Sequence, residues 1–223
     1  MDWKLLFQAI TKYLLGLALV ALLLFVPAGT IRWRNGWLLM GLLFVPMFLA
    51  GAVMMAKSPQ LLRKRLSVKE AESEQRAVVL LSGAMFLVGF VLAGLNHRFG
   101  WTVLPRGVVI AASILFLLSD LLYAEVLREN AYLSRTIEVQ QGQKVIDTGL
   151  YGIVRHPMYA ATIVLFLSMP LILGSPLSLA VFLVYPVIIA RRIRNEEQVL
   201  TAGLEGYADY TRRVKYRVFP GIW

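Results

Sequence analysis

The sequence predicts an all-α fold, a polytopic integral membrane helical bundle of about five to six membrane segments with a C-terminal helical hairpin and a tail behind it. Three observations carry that reading. Of 223 residues, 58% are hydrophobic and 16% charged. The mean hydropathy is +0.67, more apolar than one small soluble core can absorb. The apolar residues gather in long runs nearly free of charge, and roughly 20 helical residues cross a hydrocarbon core of about 30 Å. The basic residues, finally, divide unevenly between the two sides of the predicted bundle.

The first run, 13–27, is short, but Leu5, Leu6, Phe7 and Ile10 extend it upstream. Lys4 and Lys12 ahead of it mimic a signal peptide. No A-x-A site follows, so it reads as an uncleaved first helix. Runs 37–56, 77–95 and 107–124 are long enough to span. Runs 158–173 and 177–190 are shorter and separated only by Gly174-Ser175-Pro176. They read as a hairpin, either crossing fully or re-entering the same face. Pro170 and Pro186 kink its arms and free backbone carbonyls. The charged segment 57–76 reads as an interfacial helix touching anionic headgroups.

Six passes place 19 of the 23 Lys and Arg residues on the side of the N-terminus and only Arg32, Arg34, Arg98 and Arg106 on the other. The positive-inside rule makes the richer side, with both termini, cytoplasmic. The net charge of +10 is then an excess in membrane loops, and no nucleic-acid partner is expected. There are no cysteines and two histidines, His97 and His156, so no disulfide, thiolate zinc site or Cys nucleophile is possible and no metal is expected. The chain divides into transmembrane helices over 1–127 and, over 128–223, a loop, hairpin and tail forming one integrated unit. In the first part Asp120 stands out as an acid inside a span. It reads as an interhelical hydrogen-bonding group, with a contact near a substrate path as the alternative. Glu125 reads as hydrated, and His97 as a solvated loop residue.

The chemistry gathers after residue 128. In Asp147-Thr148-Gly149-Leu150-Tyr151-Gly152-Ile153-Val154-Arg155-His156-Pro157-Met158-Tyr159, Thr148-Gly149 and Tyr151-Gly152 signal turns. Pro157 suits the first position of a helix. The N–H groups of that helix start, with Arg155 and His156, form a site for a carboxylate or phosphate, or equally a contact with lipid headgroups. Arg191-Arg192-Ile193-Arg194-Asn195-Glu196-Glu197-Gln198-Val199-Leu200 leaves the hairpin at the face where Arg155-His156 entered it, so the two stretches are neighbours in space. Glu196 and Glu197 point about 100° apart on a helix, so at most one faces a given ligand. They suit ribose hydroxyls or a cation, or ion pairs with the arginines of 191–194. In the tail, Tyr207 and Tyr210 share a helical face. Their rings attract cations, a sulfonium included, or belong to an interfacial aromatic belt.

Together these pieces resemble the isoprenylcysteine carboxyl methyltransferase family, bacterial and archaeal relatives included. The likeness runs from Gly149-Leu150-Tyr151 into Arg155-His156-Pro157-Met158-Tyr159, then across the hairpin to Arg194-Asn195-Glu196-Glu197-Gln198-Val199-Leu200. Gly206-Tyr207, Tyr210, Val214 and Pro220 close it. The earlier spans match as generic membrane helices, and Ala161 stands where the family often has Gly. The resemblance implies S-adenosylmethionine as cofactor. Lys144, Val145 and Ile146 would lie near its adenine, mainly through backbone. Gly149 and Tyr151 would shape the wall. Arg155, His156 and the Pro157 helix start would meet its carboxylate end, and Tyr159 would pack beside it. Glu196 or Glu197 would take the ribose or amino group, with Tyr207 and Tyr210 as cover.

It also implies methyl transfer to a lipophilic small-molecule or lipidated acceptor from the bilayer, among membrane lipids, in a bacterial or archaeal cell membrane. A carboxylate nucleophile needs no base, and Arg155, or one of Arg212, Arg213 and Arg217, would orient it. An amine nucleophile, as in a phospholipid-type N-methyltransferase, needs a base, with Glu197 or Glu125 as candidates. The alternative enzyme is an NADPH-dependent membrane reductase of sterol type using the 191–194 arginines. A transporter or scaffold predicts internal repeats and charges scattered through the spans, and Asp120 alone fits that pattern.

Overall fold

The computed structural model describes residues 2–66, 73–130, 132–133 and 139–223. Among them the regular structure is helical: α1 (Trp3–Ala28), α2 (Arg34–Lys57), α3 (Pro59–Leu66), α4 (Ser73–Phe99), α5 (Arg106–Glu129), a 3-10 turn (Gly149–Gly152), α6 (Pro157–Ile172), α7 (Pro176–Phe182), α8 (Val184–Gly203) and α9 (Tyr207–Arg213). The chain is an integral membrane protein. Four apolar stretches, Trp3–Ala28, Arg34–Lys57, Ala77–Phe99 and Arg106–Glu129, are long enough to cross a bilayer, as is the rod Pro176–Gly203 made by α7 and α8. With 26 residues, α1 measures about 39 Å at ~1.5 Å per residue. It starts on Asp2, whose carboxylate accepts from the Leu5 N–H at 3.1 Å. It ends at Gly29, where φ of 66° favours a residue without Cβ.

Close helix approach in the bundle depends on small residues. A Cβ at Gly94 of α4 would sit 2.6 Å from the Leu24 carbonyl oxygen of α1. Gly89 makes room for the Phe182 ring, and the Gly89 carbonyl accepts from Ser178 Oγ at 2.8 Å. Phe86, Phe90, Phe166 and Phe182 meet there edge-on or tilted. The bundle is organised around α6, which touches α2, α4, α5, α7 and α8. Ala161 is fully buried and fills the small-residue position of that helix. Outward, Leu15 and Leu22 of α1, Phe48 of α2, Leu80 of α4, Leu118 of α5 and Val187 of α8 are exposed, which is the arrangement a lipid solvent requires.

The hairpin differs from its sequence reading in the length of its second arm. Its first arm, α6, has 16 residues, about 24 Å at ~1.5 Å each. Its second arm runs on past 190 to Gly203, carrying the Arg-Glu stretch as continuous helix. Pro186 lacks the N–H that would bond the carbonyl of Phe182, and the break between α7 and α8 falls there, at Leu183. Pro170 does not end α6, and its carbonyl accepts from the Ser175 N–H at 2.9 Å.

Three side-chain readings change. His97 is not a loop residue: it lies in the last turn of α4, and its ring stacks on Trp33 at 4.8 Å and 10°. The expected interhelical hydrogen bond of Asp120 is not made through Oδ2, which is buried without a partner. Glu125 is bound by Arg128 at 2.5 and 2.8 Å rather than only hydrated. The predicted interfacial helix appears as α3, while residues 67–72 of segment 57–76, and Arg135 of the basic count, lie outside the described residues.

Candidate active site

Three segments converge at the basic end of the bundle: the stretch from Val139 into α6, the second half of α8, and the tail from Leu204 to Val218. Each is set by its own sequence. Gly149, at φ of 54°, presses against the end of α5 so closely that the Glu129 carboxylate occupies the space of a Cβ. Glu129 in turn accepts from the Leu150 N–H at 3.1 Å. The 3-10 turn that follows delivers Tyr151, whose hydroxyl accepts from Asn130 Nδ2 at 2.9 Å and whose carbonyl accepts from the Tyr210 hydroxyl at 2.8 Å. Pro157 then opens α6 with His156 as N-cap.

Arg155 joins the three segments. It is 8% exposed, so its charge requires partners. Its Nε donates to Glu197 Oε1 at 2.7 Å, and its Nη1 donates to the carbonyls of Val214 and Lys215 at 2.8 and 3.0 Å. Its backbone N–H donates to the Tyr216 carbonyl at 2.9 Å, and that of His156 to the Arg217 carbonyl at 2.7 Å. Arg217 Nε completes the group by donating to Glu197 Oε2 at 2.8 Å, and its guanidinium lies 5.1 Å from the centre of the Trp223 ring. The tail is fixed from below as well, since Val218 is buried in the main core, with Phe219 and Trp223 packed against it.

The two adjacent acids have separate jobs, as their 100° offset requires. Glu197 faces Arg155, Arg217 and His156, whose Nε2 lies 3.3 Å away. Glu196 faces a cavity. Its Oε2 accepts from the Tyr159 hydroxyl at 2.6 Å, the same hydroxyl accepts from Arg192 Nε at 2.9 Å, and His156 Nδ1 stands 4.0 Å from Oε1. The cavity holds about 850 Å³ of space, open solvent at its mouth included.

Of the residues singled out from sequence, Lys144, Val145, Ile146, Tyr151, Arg155, His156, Tyr159, Glu196, Tyr207 and Tyr210 line this cavity, while Gly149, Pro157 and Glu197 do not. The anion site expected at the start of α6 is largely filled from within the protein. The Arg155 guanidinium is engaged as described, Pro157 has no N–H, and the Tyr159 N–H donates to the His156 carbonyl at 3.1 Å. The lining that sequence reasoning missed comprises Asn130, Tyr132, Leu133, Gln143, Met158, Leu200 and Leu204, while Arg192, one of the 191–194 arginines read for the alternative cofactor, also lines it. One signal pointed to part of it: 192, 196 and 200 recur every four residues, one face of a helix.

Tyr207 and Tyr210 pack ring to ring at 5.6 Å, with Leu204 and Val214, over Val139, Val145 and Leu200. Burial is the first cause holding the hydroxyls of Tyr151, Tyr207 and Tyr210 neutral, that of Tyr151 pushed up to about 12. The Tyr207 hydroxyl is buried without a partner, and such a group calls for a ligand or water. A carboxylate, a paired Tyr-Arg couple, aromatic rings and one unsatisfied hydroxyl around one cavity suit a nucleoside-sized molecule with a ring, hydroxyls and charge. Among the described residues no group of three or more His, Cys, Asp or Glu side chains is placed to hold a metal ion.

Known proteins align with this construction. Residues 109–202 match the sequence model of the isoprenylcysteine carboxyl methyltransferase (ICMT) family. A curated mouse protein, the Delta(14)-sterol reductase TM7SF2 of Mus musculus, is 30% identical over 91 residues, which are 40% of this chain and 22% of that protein. The chain thus spans about a fifth of the length of this relative. The solved structure of the eukaryotic intramembrane Ras methyltransferase ICMT superimposes on 96% of this chain and 77% of its own, with a TM-score of 0.59 at 19% identity. The fold is therefore shared over nearly the whole length, and residues 109–202 are similar in sequence to the isoprenylcysteine carboxyl methyltransferase family.

Proposed function

We propose that the protein is an S-adenosylmethionine-dependent methyltransferase acting on a lipophilic acceptor, a carboxylate by preference. One observation carries the reading: the family stretch and the tail close together on a single cavity, with Glu196 held on its wall by Tyr159 and within 4.0 Å of His156. When bound, S-adenosylmethionine supplies a methyl group on a sulfonium for in-line displacement. Glu196, steadied by Tyr159 and Arg192, would hold the ribose hydroxyls or the amino group. Lys144, Val145 and Ile146 would border the adenine, and the buried Tyr207 hydroxyl would find its missing partner in the cofactor. Tyr207 and Tyr210 would cover the site and exclude water, which strengthens every charge interaction inside it.

In this assignment Arg155 and Glu197 position rather than react. Both are engaged with each other and with the tail, and the acceptor would be oriented by a different cation. A carboxylate acceptor is ionised at neutral pH and needs no general base. The basic end of the bundle faces the cytoplasm with both termini, so a charged cofactor enters from that side and a lipid acceptor from between the helices.

Calorimetry of the detergent-solubilised protein tests this reading. S-adenosylhomocysteine should bind, and Glu196→Gln should weaken it at least about tenfold, near 1.4 kcal/mol, leaving the unfolding midpoint within a few degrees. Absence of binding to the wild type sinks the proposal. The similarity to a sterol reductase favours one second reading, an NADPH-dependent membrane reductase. NADPH that displaces S-adenosylhomocysteine, or binds where the latter does not, would favour it.

A further inference from the structure

Outside the cavity, the described residues contain one cation whose hydrogen-bonding edge is buried and unused. Arg65 lies in α3, and its Nη1 donates to the Tyr123 hydroxyl of α5 at 3.2 Å. Its guanidinium carbon stands 5.9 Å from the centre of the same ring. Its Nε and Nη2 are both buried with no partner. These two nitrogens form the side edge of the guanidinium, the fork whose parallel N–H groups match the two oxygens of a carboxylate. Leaving two charged donors buried and unpaired is costly, and the surroundings do not let the side chain escape. Arg63 of α3 pairs with Asp2, Lys12 of α1 donates to the Leu66 carbonyl, and Leu62 is buried. The short helix is thus tied to α1, and Arg65 is aimed by its own turn. The Arg65 charge also offsets part of the burial effect on the Tyr151 hydroxyl, so it lies within electrostatic reach of the cavity wall.

We infer that the Nε–Nη2 edge of Arg65, oriented by Tyr123, is the positioning site for the carboxylate of the lipophilic acceptor on the membrane side of the cavity. The inference rests on the methyltransferase reading and deepens it. It assigns the cation that Arg155, engaged with Glu197 and the tail, does not supply. The acceptor's tail would remain among the apolar helices while its head reaches the arginine. Lys in place of Arg65 keeps the charge and loses the fork, so charge and geometry can be separated.

The test uses the full chain in detergent, with an N-acylated S-prenylcysteine as the carboxylate probe and its methyl ester as the uncharged control. The wild type should bind the acid at least tenfold more tightly than the ester. Arg65→Gln should abolish that preference and raise KM for the acid tenfold or more, while its affinity for S-adenosylhomocysteine stays within twofold. Arg65→Lys should recover less than a third of the preference, and Tyr123→Phe should lose two- to fivefold with Arg65 still present. Equal binding of acid and ester by the wild type overturns the inference, as does an Arg65→Gln variant with unchanged KM. So does a parallel loss of S-adenosylhomocysteine affinity, which would make Arg65 part of the cofactor wall. A phospholipid that co-purifies with the wild type and is lost from Arg65→Gln, with acid binding unaltered, would assign the fork to a headgroup phosphate instead. Failure of the wild type to bind S-adenosylhomocysteine while it still prefers the acid would count against the methyltransferase reading alone.

Discussion

The helices α1 to α5 and the stretch from Glu129 onward solve different problems with different residues. In the first region, contacts are apolar or glycine-mediated, and long rows of Leu, Val and Phe face outward. Its fixed polar groups are few, among them the Tyr13 hydroxyl, which donates to the Phe44 carbonyl at 3.1 Å, and the Asn96 side chain, which bonds Thr102 through its backbone and hydroxyl at 2.6–3.1 Å. In the second region, segments far apart in the chain are joined by charge: Arg155 to Glu197 and to Val214, Arg217 to Glu197, Arg213 to Asp147 at 2.8 Å. Lipid tails distinguish poorly between one apolar face and another. Buried charges with few partners leave one arrangement, at the risk of collapse when a partner is removed.

The largest expected effect comes from breaking the charged hub. Arg155→Ala strips Glu197 of a buried partner and releases the Val214 and Lys215 carbonyls. It should cost about 3–5 kcal/mol and eliminate S-adenosylhomocysteine binding, read by the unfolding midpoint and by calorimetry. A variant that keeps both would show that the tail holds without the hub.

A smaller effect concerns the Tyr151 hydroxyl, pushed up to about 12 chiefly by burial. Its folded value lies above the ordinary value of 10, so the stabilisation it contributes is complete below pH 10 and is lost as pH rises toward 12. Tyr151→Phe should flatten that part of the stability profile measured by alkaline unfolding. An unchanged profile would mean that other groups, Tyr207 and Tyr210 first, control it. The smallest effect belongs to the lipid-facing surface. Leu118 is 55% exposed, and Leu118→Ala should change stability by no more than about 0.5 kcal/mol without altering ligand binding. A large change there would place a partner helix, rather than lipid, against α5.

The sequence made the membrane helices legible because most are long apolar runs nearly free of charge, and the short first run is extended upstream by Leu5, Leu6, Phe7 and Ile10. It also brought Arg155-His156 and Glu196-Glu197 together, since a hairpin returns the chain to the face it left. The limit of α8 was not legible: Arg191 onward looks like the end of an apolar run, yet the helix continues because nothing there breaks it before Gly203. The division of labour between Glu196 and Glu197 was legible only as a rule that they diverge. Their assignment depends on helix rotation, which packing of Ile188, Ile189 and Ile193 in the core determines. Pairings such as Arg155 with the Val214 carbonyl and Arg65 with Tyr123 join residues about sixty positions apart. No periodicity encodes contacts of that kind.

The backbone bonds from Arg155 and His156 to the carbonyls of Tyr216 and Arg217 have a consequence for biogenesis. While a ribosome is still making this protein, the helices can enter the bilayer one after another, but the pocket has no lid until the final stretch has left the exit tunnel. A nascent chain is therefore anchored well before its cavity is closed, and termination near residue 210 would leave an inserted chain without the Tyr216 and Arg217 carbonyls that hold Arg155 and His156.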